Sequence, residues 1–405
     1  MDAERDTLNG RETIHEPNRG RSQTSRDFQG LTSVLLVLLL AGCGKVERPA
    51  KPKGTVNVRI PPAPEKVTNN VRTAAPVAVF FSDVWRSTVS NRANPANIAG
   101  QCAQVIDSAR FSLDVCVEEI DDPAIIDAII RAHRRGVRVR VVTESDFLDE
   151  RGPKSFRAEG IEVVGDNRSA RMHNKFMVVD KQAVWTGSCN FAMRCAYRNN
   201  NNAVLIASPE LAENFAEKFR WFWELKKFGG RPSSRARIPH AAVKLSDGTV
   251  VDSYFAVHDQ VHQEILELVR KSQHSIRFLA FRFTNDELAQ ALLERAEEGV
   301  KVQGVLDSRQ NAELSEFDRL RTHRNVEVLL DGNKHDMHHT IMILDDEIVV
   351  AGSMDFEAGS GEQNDENVVV FHSGKLAERY NDEFSRIYRS AITSLAGKHP
   401  DLNRY

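Results

Sequence analysis

MHNKFMVVD, residues 172–180, places a histidine and a lysine two positions apart in a run of strand-forming apolar residues. Because the side chains of a β-strand alternate between its two faces, His173 and Lys175 project from one face, while Asn174 and Phe176 project from the other. An imidazole beside an ammonium group suits a site that attacks or holds a negatively charged group. The alternative is a solvated strand end with two unrelated polar residues, because short motifs often match by chance.

A second stretch, MHHTIMILD at residues 337–345, repeats this pattern and makes chance a poor explanation. In both copies a Gly-Ser pair arrives seven residues after the closing aspartate. Upstream, RRGVRVRVVTESD (134–146) matches EEGVKVQGVLDSR (297–309) at nearly the same offset. A repeat of this length indicates a duplicated domain and is far too long for a solenoid unit.

Strands and helices alternate in both halves, which predicts an α/β fold. Each half also contains a hairpin built on the histidine motif, so we expect two mixed sheets flanked by helices. The predicted domains are residues 96–230 and 250–395. Residues 44–95, which are rich in Pro, Asn, Val and Lys, are predicted to be a tether.

The N-terminal region contains LTSVLLVLLLAGCGK (31–45), whose apolar run is too short to span a bilayer but fits a signal peptide. It ends in Leu-Ala-Gly-Cys43, which resembles the bacterial lipobox. That resemblance implies that residues 1–43 are an N-terminal extension and lipoprotein signal peptide, and that Cys43 carries the lipid. We therefore expect a lipid-anchored protein of the bacterial cell envelope, on the periplasmic side of the outer membrane.

The composition describes a soluble chain of 405 residues with 41% hydrophobic and 27% charged residues. Its net charge of −3 predicts no general affinity for nucleic acids or anionic membranes. The remaining cysteines form no metal-binding spacing, and we predict neither a metal nor a cofactor. These cysteines are Cys102, Cys116, Cys189 and Cys195.

The motif His-x-Lys-x4-Asp followed by Gly-Ser-x-Asn, present in two halves, resembles the phospholipase D superfamily of phosphodiesterases. The resemblance implies two tandem domains that meet about a pseudo-two-fold axis. It also implies that each domain contributes one histidine, His173 and His338, to a single site that requires no metal.

Cleaving a phosphodiester without a metal requires a nucleophile, a proton donor and fixed positive charge. We predict that His173 and His338 supply the first two and that Lys175 supplies the charge. The predicted phosphate-binding residues are Ser188, Asn190, Thr340 and Ser353. Counting along the strand places Asp180 on the face opposite His173, so Asp180 and its counterpart Asp345 are predicted to orient the hairpin turns.

The second half departs from the family pattern, with Thr340 in place of the lysine and Asp355 in place of the asparagine. Glu366 lies 28 residues after His338, and Asn201 lies 28 residues after His173. In the family, the residue at this position orients the catalytic histidine. We therefore expect Glu366 to keep His338 protonated as the acid, and Asn201 to leave His173 neutral as the nucleophile.

The first hypothesis for the function is a hydrolase that acts on phospholipid head-group phosphodiesters through a phosphohistidine intermediate. A metal-independent endonuclease of the same superfamily is an alternative, so the expected substrate is a phospholipid or a nucleic acid. A transferase resembling the cardiolipin synthases fits less well, because those enzymes usually carry transmembrane segments. A weakly active phosphate-binding module is the non-enzyme alternative, because Thr340 replaces a lysine.

Overall fold

The computed structural model describes residues 75–85, 88–309 and 315–398. The predicted signal peptide, Cys43 and most of the predicted tether lie outside these residues. In the described part of the chain, no helix has both the length and the apolar character needed to cross a membrane.

Among the described residues, the same order of elements occurs twice along the chain, apart from one additional short helix in the first half and one additional short strand in the second. The first half comprises β1 (Val77–Phe81), α1 (Thr88–Arg92), α2 (Ile98–Asp107), β2 (Ser112–Val117), α3 (Pro123–Arg134), β3 (Arg138–Thr143), α4 (Arg151–Ala158), β4 (Val163–Gly165), β5 (Lys175–Val179), β6 (Ala183–Gly187), α5 (Met193–Tyr197), β7 (Asn202–Ala207) and α6 (Pro209–Trp223). The second half comprises β8 (Val243–Lys244), β9 (Val250–Phe255), α7 (Val261–Lys271), β10 (Ser275–Ala280), α8 (Asp286–Glu297), β11 (Lys301–Leu306), α9 (Phe317–Arg321), β12 (Val326–Leu330), β13 (Thr340–Leu344), β14 (Ile348–Gly352), α10 (Ser360–Gln363), β15 (Asn367–His372) and α11 (Gly374–Lys398).

Each half folds around one mixed sheet. The strand orders are β1-β7-β6-β5-β2-β3-β4 and β12-β11-β10-β13-β14-β15-β9-β8. In each sheet three strands are parallel (β2-β3-β4 and β10-β11-β12), while the histidine-motif hairpin and its neighbours are antiparallel. The predicted α/β fold with two repeated mixed sheets is therefore confirmed.

Local sequence signals explain where several helices begin. Asp122 accepts hydrogen bonds from the first turn of α3, and Pro123 occupies a position that needs no backbone donor. Ser208 and Pro209 start α6 in the same way. The hairpin strands β5 and β13 are buried along their whole length, so they read as nearly continuous apolar runs.

The buried apolar side chains form one cluster inside each half and a third cluster between the halves. The third cluster contains Phe176 and Phe215 from the first half and Phe255 from the second. The rings of Phe215 and Phe255 make an edge contact with centroids 4.9 Å apart. This shared core holds the two sheets together, so the halves are packed parts of one folded unit.

The tether prediction is wrong for its last part. Strand β1 lies inside residues 44–95 and pairs antiparallel with β7, where Val79 lies opposite Val204. Directly after β1, the Ser82 hydroxyl donates to the carbonyl of Asn199 at 2.7 Å and accepts from the backbone N–H of Asn201 at 2.8 Å. The folded region therefore begins before residue 96, and this segment supports the loop that carries Asn201.

Asp180 and Asp345 have the structural role that we expected for them. The carboxylate of Asp180 accepts from the backbone N–H groups of Arg110, Phe111 and Ser112 at 2.9, 2.7 and 2.8 Å. Asp345 accepts in the same way from residues 273–275 of the second half. Each aspartate thus ties a hairpin turn to the start of the neighbouring strand, β2 in the first half and β10 in the second.

Asp180→Ala and Asp345→Ala should each lower the free energy of unfolding by about 2 kcal/mol, because each leaves three backbone donors without their acceptor. Urea unfolding measures this loss, and Glu347→Ala provides a matched control in the second hairpin. Equal stability of Asp345→Ala and Glu347→Ala would contradict the assignment.

The effect of Asp345 should also depend on pH. Burial raises the pKa of Asp345, but the three backbone hydrogen bonds outweigh burial and hold it below its ordinary value. The stabilisation is therefore present above the ordinary pKa of aspartate and is lost as the pH falls through the pKa of the folded state.

Candidate active site

The two histidine motifs meet because each half pairs its backbone with the other. The backbone N–H of His173 donates to the carbonyl of Asp365 at 2.9 Å, and the N–H of His338 donates to the carbonyl of Asn200 at 2.9 Å. Two short parallel bridges join the halves at these places. Both histidines therefore lie at the pseudo-two-fold interface, as the sequence predicted.

The orienting side chains are exchanged between the halves. Nδ1 of His173 donates to both carboxylate oxygens of Glu366 at 2.9 Å. Nδ1 of His338 donates to the amide oxygen of Asn201 at 3.0 Å. Our expectation that each histidine is oriented from within its own half is wrong, because the backbone pairs place the segment that follows each histidine hairpin beside the opposite motif.

Ser188 and Ser353 hold these orienting residues in place. The hydroxyl of Ser188 donates to Asn201 Oδ1 at 2.9 Å, and that of Ser353 donates to Glu366 Oε2 at 2.6 Å. Both serines were predicted to bind phosphate. In the structure these hydroxyl groups instead donate hydrogen bonds to the residues that orient the two imidazoles.

A carboxylate that the sequence analysis missed lies beside His173. Oε2 of Glu118 accepts from Lys175 Nζ at 3.1 Å and from Asn190 Nδ2 at 2.9 Å. The same oxygen is 3.4 Å from His173 Nε2. Lys175 and Asn190 therefore converge as predicted, but on a side-chain anion of the protein itself.

The two histidines differ in their electrostatic surroundings. Burial lowers the pKa of His173, but the carboxylates of Glu118 and Glu366 outweigh burial and hold it above its ordinary value. Burial, together with the positive charges of Lys175 and His173, holds the pKa of His338 well below its ordinary value. The imidazolium form is thus favoured at His173 and disfavoured at His338.

The second motif forms a different contact where a lysine was expected. The hydroxyl of Thr340 donates to Oδ1 of Asp355 at 3.1 Å. Burial raises the pKa of Asp355 to about 6, against the opposing charges of His173 and Lys175. Thr340 therefore pairs with the residue that replaces the asparagine, so the two substitutions in this half are one local change.

Further supporting residues were also missed, although the repeat contains signals for them. Glu144 and Asp307 accept from the backbone N–H groups of Met172 and Met337 at 2.6 and 2.7 Å. They occupy equivalent places in the repeated segments 134–146 and 297–309. An acidic residue in both copies was the available signal, and it was readable only by aligning the halves.

One group of carboxylates in the described part of the chain is close enough to share a cation: Glu119, Asp121 and Glu150. Glu119 already forms an ion pair with Arg194, and Asp121 accepts from the backbone N–H of Met193 at 2.6 Å. Two of these three carboxylates therefore already have partners within the protein.

The fold agrees with comparisons to known proteins. The family model described as "Cardiolipin synthase, PLD-like domain" matches residues 102–223 and 265–388, together more than half of the chain. The chain therefore belongs to the phospholipase D superfamily, and each half is one of its domains.

Individual relatives match parts of the chain. Mitochondrial cardiolipin hydrolase of Homo sapiens is 37% identical over 119 residues, which are 29% of this chain and 47% of that protein. Phospholipase D of Rickettsia prowazekii (strain Madrid E) is 33% identical over 145 residues, 35% of this chain and 70% of that protein. The chain spans about half the length of the mitochondrial relatives it matches.

A solved structure resembles both halves together. Phosphatidylserine synthase of Haemophilus influenzae Rd KW20 aligns with 77% of this chain and 86% of its own, with a TM-score of 0.60 and 15% identity. At this identity the likeness concerns the fold alone.

Glu366→Gln should lower the pKa of His173, because it removes one of the two carboxylates that favour the imidazolium. A histidine ring titration followed by NMR measures the change. Asn201→Ala is the matched control, since Asn201 contacts the ring of His338 and should leave the His173 pKa unchanged. If only Asn201→Ala moved that pKa, the exchange of partners between the halves would be refuted.

Proposed function

We propose that this protein is a phospholipase D-type phosphodiesterase that hydrolyses head-group phosphodiesters of phospholipids through a phosphohistidine intermediate. The observation that carries the proposal is the pair of imidazoles with Nδ1 bound to Glu366 and Asn201, beside Lys175 and Asn190. With both Nδ1 atoms occupied, each ring has Nε2 available for chemistry. The relatives named as hydrolases support the same class of reaction.

In the proposed reaction, His173 first passes its Nε2 proton to Nε2 of His338, because the attack needs a neutral nucleophile and a protonated acid. Nε2 of His173 then attacks phosphorus, and a P–N bond forms as the bond to the head-group oxygen breaks. Nε2 of His338 protonates the departing alkoxide, so the alcohol leaves neutral. His338 then removes a proton from water, which attacks phosphorus and releases His173. Lys175 and Asn190 donate to the phosphoryl oxygens in both steps.

The reason for assigning the attack to His173 differs from the one suggested by sequence. A ring that carries hydrogen on Nδ1 and forms a bond at Nε2 becomes positively charged. The carboxylate of Glu366 lies on that Nδ1 and stabilises this charge, as an aspartate does for the imidazolium of a catalytic triad. Asn201 gives the charged form of His338 no comparable stabilisation, so a proton that His338 receives from His173 passes readily to the leaving group.

A metal-independent endonuclease is the second candidate. Burial, followed by the charges of Arg198, Arg309 and Lys334, lowers the pKa of His335, three residues before His338. These cations therefore lie near His335, in the segment that leads into the second motif, where they would attract the neighbouring phosphates of a nucleic acid strand. The same cations would also attract an anionic membrane surface, so the assay must include both substrates.

Purified protein should release choline from phosphatidylcholine vesicles in excess EDTA, faster than it cleaves single- or double-stranded DNA. His173→Ala should abolish turnover of the lipid and of an aryl phosphodiester, because no covalent intermediate can form. His338→Ala should lose lipid turnover but recover with the aryl substrate, whose leaving group needs little protonation.

Three results would contradict this assignment. Cleavage of DNA alone would select the endonuclease. Loss of activity in EDTA with recovery on adding Zn²⁺ or Mg²⁺ would remove Lys175 from its role as main charge donor. Recovery of His173→Ala but not His338→Ala with the aryl substrate would reverse the roles of the histidines.

We also propose that a lipid on Cys43 holds the protein in the cell envelope, close to membrane substrates. Cys43 lies outside the described residues, and the proposal rests on the short apolar run that ends in Leu-Ala-Gly-Cys. A radioactive fatty acid should label the wild type in a bacterial host and fail to label Cys43→Ser. Equal labelling of the two proteins would rule out the anchor.

A further inference from the structure

Glu118 occupies the place where the donors of the site converge. A single oxygen, Oε2, receives hydrogen bonds from Lys175 and Asn190 and lies 3.4 Å from Nε2 of His173. Several donors aimed at one oxygen, including an ammonium, form a site for an anion. In the free protein this anion is the carboxylate of Glu118, in the position that the proposed reaction requires for a phosphoryl oxygen.

The repeat shows that this carboxylate is particular to the first half. The backbone N–H of Glu118 donates to the carbonyl of Asn174 in the first motif, and that of Phe281 donates to the carbonyl of His339 in the second. The two residues are therefore equivalent. The ring of Phe281 lies beside His338 with centroids 4.6 Å apart. An apolar residue thus fills the second position, and a charged one fills the first.

Glu118 remains charged in this setting. Burial raises its pKa, but the charges of His173 and Lys175 and the hydrogen bonds from Asn190 and Lys175 outweigh burial and hold the pKa well below its ordinary value. The group therefore does not leave the site by becoming neutral. A phosphate that takes the same donors must displace a buried carboxylate.

The charges around the site limit which ligands can do so. Lys175 is the lysine of the first motif, and Thr340 replaces its counterpart in the second. Three carboxylates belong to the site: Glu118 contacts Lys175, Glu366 contacts His173, and Asp355 accepts from Thr340. A ligand that brings only negative charge leaves Glu118 displaced and unpaired beside a second anion, which is costly in a buried site. An ammonium group next to the phosphate would give Glu118 a new partner.

We propose that Glu118 is a specificity-determining residue that holds the phosphate position in the free protein and favours phosphate ligands carrying a neighbouring ammonium group over purely anionic ones. The inference rests on the proposed function, because it takes the anion site as the substrate site. It adds that phosphate binding is an exchange of anions, in which the ligand must also satisfy the displaced carboxylate.

The test compares binding of phosphoethanolamine and glycerol 3-phosphate by calorimetry on the full-length protein in detergent. The wild type should bind phosphoethanolamine more tightly by on the order of tenfold, the effect expected for one charge-assisted interaction. Glu118→Gln should remove most of this preference, mainly by strengthening the binding of glycerol 3-phosphate. Glu118→Ala, which vacates the position, should do the same.

Glu119→Gln is the matched control, since it removes the next carboxylate along the chain, which pairs with Arg194. It should keep the wild-type preference, which separates occupancy of the site from a general gain in positive potential. Equal affinities in the wild type, or an unchanged preference in both Glu118 variants, would overturn the inference. So would failure of either folded variant to bind glycerol 3-phosphate more tightly than the wild type.

These outcomes are independent of turnover. If the protein hydrolysed no phosphodiester yet showed the expected preferences, the proposed function would fail and the role of Glu118 in binding would stand. If it hydrolysed phosphatidylcholine but the Glu118 variants bound both ligands as the wild type does, the function would stand and the inference would fail.

Discussion

The active site depends on the backbone hydrogen bonds that join the two halves. His173 is hydrogen-bonded to Asp365 through its main chain, so the next residue, Glu366, reaches the imidazole of the other half. The relation between Asn200, Asn201 and His338 is the same. Neither half can orient its own histidine. The apolar core between the sheets therefore has a catalytic consequence, because it sets the distance over which these hydrogen bonds form.

Because of these contacts, the sequence differences between the halves make the two sides of the interface chemically different. The carboxylate of the second half serves the histidine of the first, and the amide of the first half serves the histidine of the second. One side of the interface thus gathers the charged groups Lys175, Glu118 and Glu366 around His173. The other side places Asn201 and Phe281 against His338. The two motifs thus form one site with a charged side and a nearly neutral side, which suits two histidines with different tasks.

Sequence reasoning predicted what depends on local spacing. Alternation along a strand paired His173 with Lys175, and the repeat identified His338 and the shared fold. Prediction from the sequence failed where contacts join distant residues, since nothing local indicates that His173 meets a glutamate 193 positions away. It also failed for β1, a five-residue strand whose partner β7 lies more than a hundred residues later. Glu118 was overlooked because a glutamate just after a buried strand reads as its solvated end, and only the fold turns that end inward.

The buried ammonium of Lys175 explains why an anion is needed at this place whether or not a substrate is bound. Lys175 is only 2% exposed, and an unpaired charge at that depth would cost several kcal/mol. In the free protein Glu118 meets this requirement, together with the carbonyl of His173. In a complex, a phosphoryl oxygen would meet it. The interaction between Lys175 and Glu118 therefore stabilises the free protein and opposes phosphate binding. The free energy of binding is then the difference between holding the phosphate and holding the carboxylate with the same donors. A site arranged in this way discriminates through what else the ligand brings, because the ammonium of the lysine is satisfied in both states.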